Sequence, residues 1–327
     1  MGLHDEAIVI DGLIVSRWSE AVFRDMRAGG ITAANCTCCV WEGFHDTMRN
    51  IARWKRWLRT HADMLLQVYT TADIMRAKHE GKTGIILGFQ NVSAFEDDLG
   101  NIALFKELGV GIAQIAYNTQ NLVGTGCYES YDHGLSDYGR EVVAEMNRVG
   151  IMCDLSHVGP RTSDDVIRLS TQPVCYSHCL PAALKPHPRN KSDEQLRTIA
   201  DDGGFVGVTM FPPFLPKGPD SSVEEYVRAI AHVINVVGED CVGIGTDFTQ
   251  DHDQAFFDWI THDKGNGRRL TDFGTIRNPA GLARIGDFPN LTAAMERAGW
   301  AEGRIRKVLG GNWLRVLGEV WRAPVED

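Results

Sequence analysis

The chain has 327 residues, 43% of them hydrophobic and 23% charged, enough to bury the core of one large α/β domain or two ordinary ones. Acidic residues outnumber basic ones 43 to 33, a formal charge of -10, and no basic cluster interrupts the pattern. That excludes a nucleic-acid surface or an anionic-membrane surface, both of which need a dense positive patch.

The first segment, "MGLHDEAIVIDG", lacks a basic stretch followed by an apolar one, and no apolar run reaches the ~18 residues that span a bilayer. The eight cysteines sit mostly inside apolar runs without CxxC spacing, which reads as buried free thiols and a cytoplasmic protein. Apolar runs of strand length then recur along the chain: Ile8–Val15, Ile31–Val40, Gly84–Phe89, Val110–Tyr117, Gly150–Leu155, Pro173–Ser177, Phe205–Phe211 and Cys241–Thr246. Continuous Val/Ile/Leu runs are what strands buried on both faces require. Helical periodicity fills the gaps. "NIALFKELG" and "LSDYGREVVAEMNRVG" both stop on glycine, and Ser192 stands three residues before Gln195, the spacing of a capping box.

Eight strands alternating with helices predict an α/β fold, a (β/α)₈ TIM-like barrel over residues 1–327 as a single domain, with a doubly wound sheet as the alternative. No GxGxxG turn follows the first run and no Walker loop occurs, which weakens that alternative. After "VGIGTDF" about 40 residues, 248–287, carry no strand pattern; a loop that long is expected to be a lid, a binding loop or a partner contact.

In a barrel, chemistry sits at the C-terminal strand ends. The third run ends in Gln90, the fourth in Tyr117-Asn118, the fifth in His157, the sixth in His178 and the eighth in Asp247. Two histidines at matching positions on consecutive strands suit a divalent metal, and an aspartate there can take a proton from water. Either histidine could instead be a hydrogen-bonded structural residue, and the aspartate a helix cap.

The motifs resemble the membrane (renal-type) dipeptidase family, peptidase M19 of the amidohydrolase superfamily. The stretches that carry the resemblance are "IDG", "GFQNVSAFEDDLGNIALFKELGVG", "GLSDYGREVVAEMNRVGIMCDLSHV", "PVCYSHC", "HPRNKSDEQL", "GGFVGV", "VGIGTDF" and "GGNWLRVL", in order along nearly the whole chain. The resemblance implies a metal-dependent hydrolase barrel, usually with two zinc ions, acting on dipeptides. It places metal-binding histidines at His157 and His178, a substrate-carboxylate arginine at Arg189 and the catalytic aspartate at Asp247. It also marks departures. The family's first-strand His-x-Asp metal pair falls on Leu13 and Val15, its bridging glutamate on Gln90, and its substrate-polarising histidine near Tyr117.

The expectation is therefore a dipeptidase-like hydrolase of a dipeptide or related N-acyl amino acid with a depleted metal site: one weakly held Zn2+ at most, or none. Its catalytic groups are Asp247 and Tyr117, its substrate-binding groups Arg189 and Asn118, and its metal positions His157, His178 and Gln90. Cys36, Cys38, Cys39 and Cys127 are candidates to replace lost ligands. A metal-free acid/base enzyme on the same barrel, or a weakly active regulatory homologue, remains open. The expected partner is a small molecule bearing a carboxylate, with neither nucleic acid nor membrane, and self-association is possible.

Overall fold

The computed structural model describes residues 2–321. Nine parallel strands form one sheet among them: β1 Ile10–Ile14, β2 Ala33–Cys39, β3 Leu65–Gln67, β4 Thr83–Phe89, β5 Val110–Gln114, β6 Met152–Asp154, β7 Cys175–Cys179, β8 Phe205–Val208 and β9 Val242–Ile244. β1 pairs with both β2 and β9, and β2 pairs directly with β4, so eight strands close a barrel. The fold is the expected (β/α)₈ barrel, and each of the eight apolar runs overlaps one of its strands, β4 beginning one residue before its run and β7 ending two residues after.

The ninth strand, β3, was not legible. Three residues, of which only Leu65 is fully buried, give no periodicity to read. It pairs with Thr83–Ile85 at the start of β4, while β5 pairs with Leu87–Phe89 further along. The predicted capping box holds: Ser192 Oγ accepts from Gln195 N at 3.1 Å, and Gln195 Oε1 accepts from Ser192 N at 2.9 Å. The helix Asp137–Val149 stops where Gly150 turns left-handed at φ 76°, a conformation glycine adopts without a Cβ clash.

The acid inside β1 has a structural task. Asp11 is buried; its Oδ1 accepts from Thr246 N (2.8 Å) and Leu13 N (3.2 Å), and its Oδ2 from Thr246 Oγ1 (2.5 Å). It clasps the first strand to the end of the last, between the Asp11–Ile244 pair and the bridge of Ile14 to Phe248. The interior is tight nearby: a Cβ on Gly245 would stand 1.8 Å from the Ser177 carbonyl oxygen.

The N-terminal mouth of the barrel is plugged. Trp313 and Trp321 pack with Ile10, Ala33, Met152, Cys175 and Phe205, residues that open their strands. The two indoles donate to Ile244 O (2.8 Å) and Gly111 O (3.0 Å). Only the C-terminal mouth is left for a site.

Segment 248–287 departs from the expectation of an irregular loop. It carries the helix Gln254–Thr261, capped by Asp253, whose side chain accepts from Phe256 N, and 3₁₀ turns at Asp263–Gly265 and Ile285–Asp287. Phe256, Phe257 and Ile260 of that helix pack with Val40, Trp41 and Tyr117 over the barrel mouth. The segment is a folded cover, held by aromatic contacts and by isolated backbone bridges at Phe248 and Ala280.

Candidate active site

The strand ends bring most of the predicted residues together. Gln90, Tyr117, His157 and Asp247 wall one small cavity with Val15, Val40, Phe211, Phe214, Thr249, Phe256, Ile260 and Phe273. Its volume is about 20 Å3, room for roughly one water molecule. The polar groups line its floor and sides, and phenylalanine and isoleucine from the loop after β8 and from segment 248–287 roof it.

His157 and His178 meet edge to edge, Nε2 to Nε2 at 3.0 Å. Both outer nitrogens are held. Ser177 Oγ donates to Asp154 Oδ2 at 2.5 Å, which leaves a lone pair for the Nδ1–H of His178 at 2.7 Å. Asn118 Oδ1 accepts from His157 Nδ1 at 2.7 Å. With both Nδ1 protons placed, two Nε2 lone pairs converge, the arrangement that binds a cation. Burial, reinforced by the Arg189 charge, holds both rings well below the usual histidine pKa, so they are neutral at pH 7. Asp154 also accepts from Ser156 Oγ (2.6 Å) and from the Ser156 and Ser177 amides (3.0 and 2.9 Å), fixing the β6 and β7 ends that carry the histidines.

Asp247 follows β9 at φ 61°, a left-handed conformation that aspartate tolerates better than most residues. Burial raises its pKa to about 6, with Arg189 opposing the shift and Asp154 adding to it. Its carboxylate makes no side-chain hydrogen bond among the described residues, so its lone pairs are free to take a proton. Tyr117 lies against His157 at a 30° tilt with centroids 4.3 Å apart and meets Trp41 edge-on at 4.8 Å. Burial pushes its phenol well above 10, so it stays a donor at neutral pH.

Two expected substrate contacts lie behind the cavity rather than in its wall. Asn118, buried and at φ 60°, turns its side chain to His157. Arg189 is fully buried, donates to Ser156 O and His178 O at 2.5 Å each, and lies under the Phe214 ring at 5.5 Å. Its Nε has no partner, and no acid pairs with it among the described residues. Asp193, the nearest acid in sequence, pairs with His232 instead, at 3.0 Å. A buried guanidinium with an unmet donor and no acid in salt-bridge contact among the described residues is prepared for an anion.

A family model described as membrane dipeptidase (peptidase family M19) matches residues 16–259 and 270–324. The chain belongs to that family. The dipeptidase tcpJ of Claviceps purpurea (strain 20.1) is 30% identical over 278 residues, 84% of this chain; the chain spans 60% of that relative's length. An amidohydrolase from Pseudomonas aeruginosa is 62% identical, with 98% of each chain covered and a TM-score of 0.97. A metallopeptidase from Rhodobacter sphaeroides, liganded with a phosphinate mimic of the dipeptide L-Ala-D-Ala, shares the fold at 23% identity and a TM-score of 0.81, with 97% of this chain and 100% of that chain covered.

Membership of the M19 family implies a metal. Among the described residues no three His, Cys, Asp or Glu side chains are grouped to hold one. The residues do not fit the family's two-metal centre. Leu13 and Val15 have no lone pair to offer, and Gln90 is a neutral amide whose Nε2 donates to Thr37 Oγ1 at 3.1 Å. The cysteines do not make up the deficit. Cys36 and Cys38 donate to the Ala34 and Cys36 carbonyls and Cys39 to the Glu42 carbonyl, and burial raises all three pKa values, that of Cys39 to about 12. Cys127 turns toward Asn118 Oδ1 at 3.9 Å, and burial raises its pKa too. What remains for a cation is the His157–His178 edge and the Gln90 carbonyl.

Sequence reasoning overlooked the supports and the roof. Asp154 lies inside the quoted "CDLSH" and Ser177 inside "CYSH", so both were available as second-layer partners for the histidines. The roof had a signal as well, the aromatic density of "FPPF" and "FFDWI" in otherwise polar stretches.

Proposed function

We propose that the protein hydrolyses the amide bond of a dipeptide or related N-acyl amino acid at this cavity, by a site that holds one metal ion at most. The observation that carries the reading is the convergence of a free, base-competent Asp247 and a protonated Tyr117 beside a buried, unpaired Arg189. Arg189 binds the substrate carboxylate in two-pronged fashion once Phe214 moves aside. Asp247 accepts a proton from the attacking water and returns it to the departing amine, while Tyr117 donates to the carbonyl oxygen as charge gathers on it. Asn118 and the Asp154–Ser177 pair orient the two imidazoles. A cation held by His157 and His178 would supply further polarisation of the carbonyl.

Loss of one electrostatic stabiliser typically costs ~100–1,000-fold in turnover. The missing first-strand ligands therefore predict slow hydrolysis of simple dipeptides. Assay of L,L- and L,D-dipeptides and N-acetyl amino acids with added zinc, cobalt or manganese tests this. Turnover near ~100 per second, above the ~10 per second typical of enzymes, would overturn the depleted-site reading. A metal-free acid/base variant is favoured by one observation, the neutral Gln90 in the bridging position; activity that survives chelation supports it. The whole chain acts as one barrel unit in this reading. Eight free thiols favour a cytoplasmic location, and no helix among the described residues is long and apolar enough to cross a membrane.

A further inference from the structure

A second, larger cavity lies against the catalytic one on the β1–β2 side. It measures about 220 Å3 and is walled mainly by Trp18, Trp54, Trp57, Phe256 and Trp259, with Cys38 and Cys39 at the end of β2. Val15, Val40 and Phe256 face both cavities. The exposed Arg53 is the one full charge on the wall with no partner among the described residues. Glu42 is engaged: its Oε2 accepts from Val40 N (2.7 Å) and Trp41 N (3.1 Å), and its Oε1 from Asn50 Nδ2 (3.1 Å), so it clasps the end of β2 rather than awaiting a ligand.

We propose that this cavity receives the acyl side of the substrate, and that it selects a bulky, uncharged aromatic group there. The proposal rests on the function argued above and gives the substrate a direction. Arg189 bonds to backbone at the β6 and β7 ends, Asp247 and Tyr117 flank the middle, and the tryptophan-walled cavity opens across the barrel at β1 and β2. A substrate gripped by its carboxylate at Arg189, with its amide over Asp247, points its acyl substituent past Val15 into that space. An apolar cavity of about 150 Å3 takes up a benzene ring, so 220 Å3 accommodates a ring and its methylene link. Trp18 and Trp57 meet the buried Trp54 edge-on, at 63° and 82°, which fixes the orientation of the half-buried indoles that face an aromatic guest. Val15 is the hinge of the argument. Where the family resemblance expects a metal-binding carboxylate, this chain has an apolar wall shared by both cavities.

Isothermal titration of the intact protein with N-acetyl-D-alanine, N-phenylacetyl-D-alanine and L-lysyl-D-alanine reads the preference without needing turnover. The expected result is at least tenfold tighter binding of the phenylacetyl compound than of the other two. Trp259→Ala, on a half-buried helix position, should erase that gain while leaving N-acetyl-D-alanine binding unchanged, and Trp18→Ala does the same from the opposite wall. Equal affinities, a preference for the lysyl compound, no binding of any of them, or a gain that survives both substitutions would overturn the proposal. The methyl ester of N-phenylacetyl-D-alanine separates this from the function it rests on. If the ester binds wild type as tightly as the acid and loses affinity in Trp259→Ala, the pocket stands and the Arg189 anchor fails.

Discussion

At the scale of single residues, Asp247 makes the most testable demand. A base with its pKa raised to about 6 is protonated below that pH, so kcat/KM should fall as pH drops through 6 and level off above it. Asp247→Asn should remove the limb along with most of the activity; a profile flat from pH 5 to 8 in the wild type would remove Asp247 from the role. Arg189→Lys keeps the charge and loses the fork. A hydrogen bond to a charged group is worth about 1.5–3 kcal/mol, so carboxylate ligands should bind roughly 10- to 100-fold more weakly. Unchanged affinity would make Arg189 a brace for the Ser156 and His178 carbonyls and nothing more. Asp11 carries a stability prediction. Burial raises its pKa from 3.8 to about 7, despite three donors. The folded state thus holds this proton more tightly than the unfolded one, so the contribution is present below pH 3.8 and is lost as pH rises through 7. Asp11→Asn keeps an acceptor for the Thr246 and Leu13 amides and gives Thr246 Oγ1 a donor. Thermal melts of this variant should show a smaller loss of stability between pH 4 and 8 than wild type. At this scale the grouping of the histidines, Arg189 and Asp247 at one end of the barrel was legible because they sit in the motifs that carry the resemblance. The role of Asp11 was not, since its partner Thr246 lies 235 residues away.

At the scale of elements, the proposed reaction requires the cover over the mouth to open. A cavity of 20 Å3 cannot hold a dipeptide, so the helix Gln254–Thr261 and Phe214 must move before substrate enters. Amide hydrogen exchange should therefore slow across 254–261 and 211–215 when a carboxylate ligand is bound, while the barrel strands stay unchanged. Equal exchange with and without ligand would mean that substrate arrives another way. The barrel strands were readable because burial on both faces leaves continuous apolar runs. The cover was not, because its order comes from aromatic contacts between segments far apart in sequence: Phe273 meets Phe211 at 5.2 Å and Phe214 at 5.9 Å. β3 fell below the length at which any pattern shows.

At the scale of the whole molecule, the chain keeps the barrel of its family, and the proposed reading leaves it half of the family's metal centre. Mass-spectrometric metal analysis of the purified protein should find at most one transition-metal ion per chain. Two tightly held zinc ions would show that ligands outside the strand ends had been recruited. The combined substitutions Leu13→His, Val15→Asp and Gln90→Glu should raise the count, at the expense of the apolar wall between the two cavities.

The plug at the floor of the barrel bears on how the chain is made. β1 can close the ring only against β9, and Trp313 seals the floor by reaching Ile244. A ribosome delivers the first strand some 230 positions before its neighbour, and the seal later still. Until then Asp11 stays hydrated and ionised, one edge of the growing sheet stays open, and the strand openings that Trp313 and Trp321 will cover stay wet. Such far-apart pairings are reached slowly and leave sticky surface exposed meanwhile. Until Trp313 is in place the nascent barrel exposes the kind of apolar surface that chaperones bind, and a stop codon before Trp313 leaves a vessel without a base.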